Sequence, residues 1–170
     1  ATFLPALPQH RLLATAGNDH VVRLWDVRRM AGPAGTPGTG GRRGGEAARL
    51  NGAAIGAYTG TRVMNAAYFS PHTGSRLLVT CQDNRLRVWD VHGFGAGAAP
   101  DAEVVHSHDF NQYLSPFKAV WDPKATSGRD DLFAVGRYLG EDYPLPGPPP
   151  GPRRLHPIDV YSAAGGGVLL

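Results

Sequence analysis

The residues able to do chemistry fall in four short runs. The densest is Val105-His-Ser-His-Asp-Phe-Asn-Gln-Tyr113, followed directly by Leu114-Ser-Pro-Phe-Lys118. An aromatic–polar–polar–aromatic stretch between extended segments is a poor core element and a good contact loop. Phe110 there could wedge between base steps, while Asn111 and Gln112 offer paired donors and acceptors to base edges. The alternative is that Phe110 tucks under its own loop. A second run, Val135-Gly-Arg-Tyr138, puts an arginine able to fork onto phosphate beside an aromatic ring. Its alternative is a surface arginine next to a packed tyrosine. The third run is Trp25-Asp-Val-Arg28, whose counterpart Trp89-Asp-Val-His92 lacks the arginine. The fourth is His106-x-His108-Asp109, whose alternate residues share a strand face and could ligate a metal. A lone His-x-His without further Cys or His usually does not.

Catalytic constellations are missing from the sequence. It holds no phosphate-cradling Gly-rich loop with Lys-Ser/Thr, no His-Glu-x-x-His and no nucleophile elbow. Cys81 is the single cysteine and replaces an apolar strand residue, so it forms no internal disulfide and reads as a buried thiol. Asp19 and Asp83 lie in strand-connecting turns, where Asp stabilises backbone. The expectation is a protein without enzymatic activity, cofactor or small-molecule substrate.

The elements that position these runs repeat. Arg11-Leu-Leu-Ala-Thr-Ala-Gly-Asn-Asp-His-Val-Val-Arg-Leu-Trp-Asp-Val27 aligns with Arg76-Leu-Leu-Val-Thr-Cys-Gln-Asp-Asn-Arg-Leu-Arg-Val-Trp-Asp-Val91. Each reads as an apolar strand, a polar turn and a second strand ending in Trp-Asp. A weaker third copy is Leu132–Tyr138 with Ile158–Tyr161. Single strands stopped by proline, Ala66–Pro71 and Lys118–Pro123, precede the later two copies. Such short strands with Trp-Asp endings predict an all-β, WD40-type β-propeller. Counting strands a to d outward in each blade gives b, c, d; then a, b, c, d; then a, b, c. That is about two and a half blades, with approximate limits 1–62, 63–113 and 114–170. Propellers close with four to eight blades, so the expectation is a piece of a longer protein. In a propeller the d–a and b–c connections share one rim, which would place Phe110–Tyr113 beside Arg137–Tyr138 and Arg28 on the opposite face.

Composition fits this reading. Of 170 residues, 23 are Gly and 15 are Pro, a load unsuited to an all-helical protein. The excess is concentrated in three stretches read as loop insertions, 31–53, 93–100 and 139–157. A net charge of +3 permits nucleic-acid binding without announcing it. No apolar run reaches the length of a membrane span and no signal peptide opens the chain. A soluble intracellular protein is expected.

Leu12–Met30 with its Trp-Asp-x-Arg box, Val63–Trp89, Phe110–Pro123 and Phe133–Tyr138 together resemble the damage-specific DNA-binding protein 2 family. The run Asp109–Pro123 followed by Val135–Tyr138 is the specific part, since a Trp-Asp box marks any WD protein. The resemblance implies a nuclear, seven-bladed propeller that recognises ultraviolet photolesions in duplex DNA during nucleotide excision repair. In that family a Phe-Gln-His hairpin enters the minor groove and holds the damaged bases extruded, an insertion favoured where the duplex is already weakened. Gln112 and Tyr113 fall on the Gln-His; Phe110 sits one residue early, so the wedge is Phe110 or Asn111. Lys118, Arg137 and Tyr138 match the family's DNA-contacting positions. Trp25, Asp26 and Arg28 match the box associated with the large adaptor subunit and, through it, a cullin-4 ubiquitin ligase, of which the family is the substrate receptor. The reading set against this is a generic WD-repeat scaffold that binds proteins and not DNA.

Overall fold

The computed structural model describes residues 2–3, 11–30, 54–108, 117–124, 131–138 and 158–164. Among them the fold is all-β, with three antiparallel sheets that follow one another along the chain. The first sheet holds β1 (Thr2–Phe3), β2 (Leu12–Ala16), β3 (Val21–Asp26) and β4 (Ala54–Thr59); a single helical turn, α1 (Val27–Met30), follows β3. The second holds β5 (Met64–Phe69), β6 (Arg76–Cys81), β7 (Arg85–Asp90) and β8 (Ala102–Val105). The third holds β9 (Val120–Trp121), β10 (Leu132–Gly136) and β11 (Ile158–Ser162). Strands within each sheet pair in chain order, the meander of a propeller blade.

Counted from the Trp-Asp endings the two repeats share a register, one residue out of step with a count from Arg11 and Arg76 because the first run is one residue longer. Leu13 pairs with Trp25 in the first sheet and Leu77 with Trp89 in the second. The first sheet also carries an innermost strand that the b, c, d expectation left out. Thr2 and Phe3 pair with Ala14 and Leu13, and two residues are too few to show an alternation in sequence.

Two cores lie between consecutive sheets. The first gathers Ala14, Val22 and Leu24 against Met64, Phe69, Leu77, Val79 and Trp89. The second gathers Leu78, Leu86, Val88 and Val104 against Trp121, Phe133, Val135 and Tyr161. β6 therefore feeds both: Leu77, Val79 and Cys81 face one core while Leu78 faces the other, as the two-residue strand period requires. That is why its sequence is a continuous apolar run rather than an alternation. Each large side chain so buried contributes about 1.5–3 kcal/mol.

The 93–100 stretch, expected as a shorter version of the flexible glycine-rich insertion, is packed. Phe94 is buried and meets Trp89 edge-on at 5.5 Å between ring centroids. Gly97 donates its N–H to Ala57 O of β4 at 3.0 Å, tying the stretch to the first sheet. β4 admits it because Gly56 has no side chain: a Cβ there would lie 2.3 Å from Phe94 O. No helix among the described residues is long and apolar enough to cross a membrane.

Candidate nucleic-acid and partner-binding faces

Connections at one end of the three sheets are linked to one another. The β2–β3 turn of the first sheet accepts from the β4–β5 connection, with Gly60 N–H on His20 O at 2.9 Å and Met64 N–H on Gly17 O at 3.2 Å. That connection reaches the β6–β7 turn through Thr61 Oγ1, 3.5 Å from Asp83 Oδ2. The β6–β7 turn in turn holds the chain leaving β8: Asn84 O accepts from His106 N–H at 2.8 Å, and Asn84 Oδ1 from His108 N–H at 3.1 Å. Finally His108 Nδ1 accepts from Tyr138 N–H, at 2.9 Å, in the turn after β10. The result is one continuous rim. His20 and Asn84 occupy matching positions on it, at φ 64° and 62°, a left-handed conformation that asparagine tolerates well.

Both turn aspartates do more than shape backbone. Asp19 accepts from Arg23 at 2.6 Å and from Val21 N–H at 3.2 Å. Asp83 grips Arg87 with two bonds, of 2.6 and 3.2 Å. Arg87 also reaches Glu103 at 2.8 Å and lies 5.6 Å from the Tyr58 ring centroid. Burial opposes charge on both partners, yet the Asp83 carboxyl stays below its ordinary range and the Arg87 guanidinium above its own, because each faces the other. The first pair is the more exposed; in the second Arg87 is buried and Asp83 half-buried.

At the end of the rim, Arg137 lies against Asp159 of β11, with Nε 3.4 Å from Oδ2 and an Nη 3.5 Å from Oδ1. Asp159 is buried, whereas the Arg137 side chain keeps 28% of its surface open. His106 Nδ1 lies 3.4 Å from Tyr161 Oη and 3.6 Å from Asp159 Oδ2. Burial, reinforced by His108 and the Arg137 charge, pushes the His106 imidazole down to about 4. Burial and the nearby Asp159 carboxylate push the Tyr161 phenol up to about 12. Both are therefore neutral near pH 7, and Arg137–Asp159 is the charged pair of the group. Asp159 was not singled out in sequence; its signal was a carboxylate inside the otherwise apolar strand Ile158-Asp-Val-Tyr161.

Arg137 and Tyr138 thus come together with the His106–His108 segment. Lys118 is exposed just before β9, between Phe117 and the buried Ala119. Phe110, Asn111, Gln112 and Tyr113 lie outside the described residues. His106 and His108 stand with near-parallel rings, 6.1 Å apart. Among the described residues no group of three or more His, Cys, Asp or Glu converges as a metal set.

The Trp-Asp-x-Arg box occupies the opposite end of β3, six residues and about 20 Å from the rim turn. Trp25 Nε1 donates to Thr15 Oγ1 at 2.8 Å across the β2–β3 pair. Asp26 caps α1 by accepting from Arg28 N–H at 3.0 Å, and the same carboxylate takes the Arg28 guanidinium at 3.0 and 2.6 Å. Hydrogen bonds from Arg28 hold the Asp26 carboxyl down at about 2. Arg28 is thereby aimed by a carboxylate while 60% of its side chain remains exposed. In the second sheet Asp90 Oδ1 accepts from His92 N–H at 2.7 Å, and the box has no arginine at the position of Arg28.

Residues 6–26 and 55–90 match the WD domain, G-beta repeat family. Over 158 residues, 93% of this chain, it is 41% identical to Protein DAMAGED DNA-BINDING 2 of Arabidopsis thaliana. Over 165 residues, 97% of this chain, it is 40% identical to DNA damage-binding protein 2 of Oryza sativa subsp. japonica. The chain is a WD40-repeat protein closely related to the DNA damage-binding protein 2 family. It spans 23% of the length of each of those two relatives. Relatedness to the DNA damage-binding protein 2 family extends across 93% of the chain in Danio rerio too, at 29% identity. WD repeat-containing protein 76 of Xenopus laevis is 39% identical over 59% of this chain. Among solved structures, the WD40 domain of Toxoplasma gondii coronin covers 95% of this chain with a TM-score of 0.57 at 17% identity, and this chain covers 30% of it. That likeness concerns the fold alone.

Proposed function

We propose that this chain forms part of a nuclear receptor for damaged duplex DNA, acting in nucleotide excision repair. One rim meets the lesion and the opposite face meets an adaptor. The observation carrying this reading is the Arg137–Tyr138 turn, buttressed by Asp159 and by His108, the residue that precedes Asp109 in the chain. Arg137 supplies a directed cation for a phosphate, and Lys118 a second, exposed one. Phe110 or Asn111 acts as wedge, with Gln112 and Tyr113 against the displaced bases. Asp26 aims Arg28 toward the large subunit of a damage-specific DNA-binding complex and, through it, a cullin-4 ubiquitin ligase. The relatives named for damaged-DNA binding support the same assignment.

The test compares irradiated with intact duplex in the intact protein. Arg137→Ala weakens binding and reduces the slope of log affinity against log salt by about one unit. Arg28→Ala, on the other face, leaves duplex binding unchanged and loses the adaptor. An unsubstituted protein that binds irradiated and intact duplex equally supports a protein-binding WD scaffold instead.

A further inference from the structure

The rim and the opposite end of the sheets spend their charges differently. At the rim, Asp19 faces Arg23, Asp83 faces Arg87 and Asp159 faces Arg137, so each carboxylate among the described rim residues is matched by an arginine. Two exposed rim cations have no carboxylate partner among the described residues: Arg62 on the β4–β5 crossing and Lys118 before β9. At the opposite end charges of both signs mix. Asp90, Asp101 and Asp122 accept from backbone N–H groups there, while Arg29 and Lys124 lie exposed at the same end. A phosphate backbone laid on that end would meet carboxylates, whereas on the rim it would meet surplus cations.

Arg62 is also well held. Its crossing, Gly60–Val63, is pinned from both sides: Gly60 N–H donates to His20 O at 2.9 Å, Met64 N–H to Gly17 O at 3.2 Å, and Val63 O accepts from Gln82 N–H at 2.9 Å. Arg62 O itself takes the Cys81 thiol, with Sγ 3.6 Å away. The backbone under Arg62 is therefore tied to the β2–β3 and β6–β7 connections before any ligand arrives, and binding would order only its side chain. Asp83, the carboxylate tied to the same crossing through Thr61, is committed to Arg87 and leaves Arg62 facing solvent. We propose that Arg62 is a further contact for the duplex backbone, extending the cationic surface of the rim from the third sheet to the crossing between the first and second. This rests on reading that rim as the nucleic-acid surface. A phosphate contact carries no information about the bases, so Arg62 adds affinity for any duplex and leaves lesion preference unchanged.

The experiment measures binding of irradiated and intact duplex by the intact protein over a series of salt concentrations. Arg62→Ala is expected to weaken both duplexes by the same factor and to reduce the slope of log affinity against log salt by about one unit. Arg62→Lys keeps the charge and is expected to keep the slope. Arg62→Ala combined with Arg137→Ala is expected to remove about two units, as two separate phosphate contacts would. Arg29→Ala takes the same charge from the opposite end and is expected to leave the slope where it was. An unchanged slope in Arg62→Ala overturns the proposal. So does an equal fall in Arg29→Ala, which would trace the effect to net charge rather than to the rim, and so does Arg62→Lys behaving as Arg62→Ala. If the unsubstituted protein binds no duplex, the functional reading fails and takes this proposal with it. If Arg137→Ala lowers the slope and Arg62→Ala does not, the reading stands and the Arg62 contact alone falls.

Discussion

Between β4 and β5 the chain crosses from the first sheet to the second through Gly60–Val63, and backbone groups do nearly all the holding. Gly60 and Met64 donate to the β2–β3 turn, and Val63 O accepts from Gln82 N–H at 2.9 Å. At the described ends of the β8–β9 connection, side chains take a larger share: Asn84 Oδ1 accepts from His108 N–H, His108 Nδ1 accepts from Tyr138 N–H, His108 meets Phe117, and His106 lies beside Tyr161 and Asp159. The first junction packs on a hydrophobic core and its buried charge network centres on Arg87, while Thr61 and Arg62 of the crossing stay exposed. The second keeps Arg137 partly open. Backbone-to-backbone closure leaves side chains free to fill a core. Polar rings at the ends of the second connection come with titratable groups that are buried.

The largest effect expected at the first junction comes from Arg87. Arg87→Met leaves the half-buried Asp83 carboxylate without its cation and should destabilise the protein by about 1–3 kcal/mol, read as a lowered denaturation midpoint. The matching Arg23→Met in the exposed pair should cost under about 1 kcal/mol. Equal costs would mean that the two sheets do not differ in the way described. At the second junction, His106 makes stability depend on pH. Its folded value near 4 lies below the ordinary 6.5, so the unfolded chain takes up a proton first as pH falls. Stability from this group is complete above about pH 6.5 and is lost progressively down to about pH 4. The loss is on the order of 3 kcal/mol. His106→Leu should flatten that part of the profile, measured by denaturant unfolding from pH 7 to pH 4. A further substitution sharpens the packing of the 93–100 stretch. Gly56→Ala, which would press on Phe94 O, should cost about 1–3 kcal/mol while leaving duplex binding unchanged.

Much of the architecture was legible because its signals are local. The Arg11–Val27 and Arg76–Val91 repeats carry their strands, turns and registers in apolar spacing and Trp-Asp endings. What escaped depended on partners distant in sequence. Thr2–Phe3 is a strand only because β2 is there to pair with it. Phe94 looked like one aromatic residue in a glycine-rich loop, and only the missing side chain of Gly56 gives it a seat. Asp19 and Asp83 were read as turn formers, although both are followed four residues later by an arginine, Arg23 and Arg87, a coincidence that could have revealed the pairs. In the candidate site, Arg137 and Tyr138 were visible as residue types beside a strand end. Asp159 and His108, which orient them, belong to other segments and became meaningful only in three dimensions.

Trp25 and Trp89 stand in the same register, yet their indole N–H groups are satisfied differently. Trp25 has the Thr15 hydroxyl, while the corresponding position in the second sheet is Val79, and Trp89 donates to Ala98 O at 3.0 Å. The two repeats are thus no longer interchangeable parts. Trimming 93–100 to the length of an ordinary turn, or transplanting β6–β7 without it, would strand a buried indole donor. Restoring a hydroxyl at position 79 would be the natural companion change. What looks like spare length between β7 and β8 has become a dependency that recombination among repeats would have to carry along.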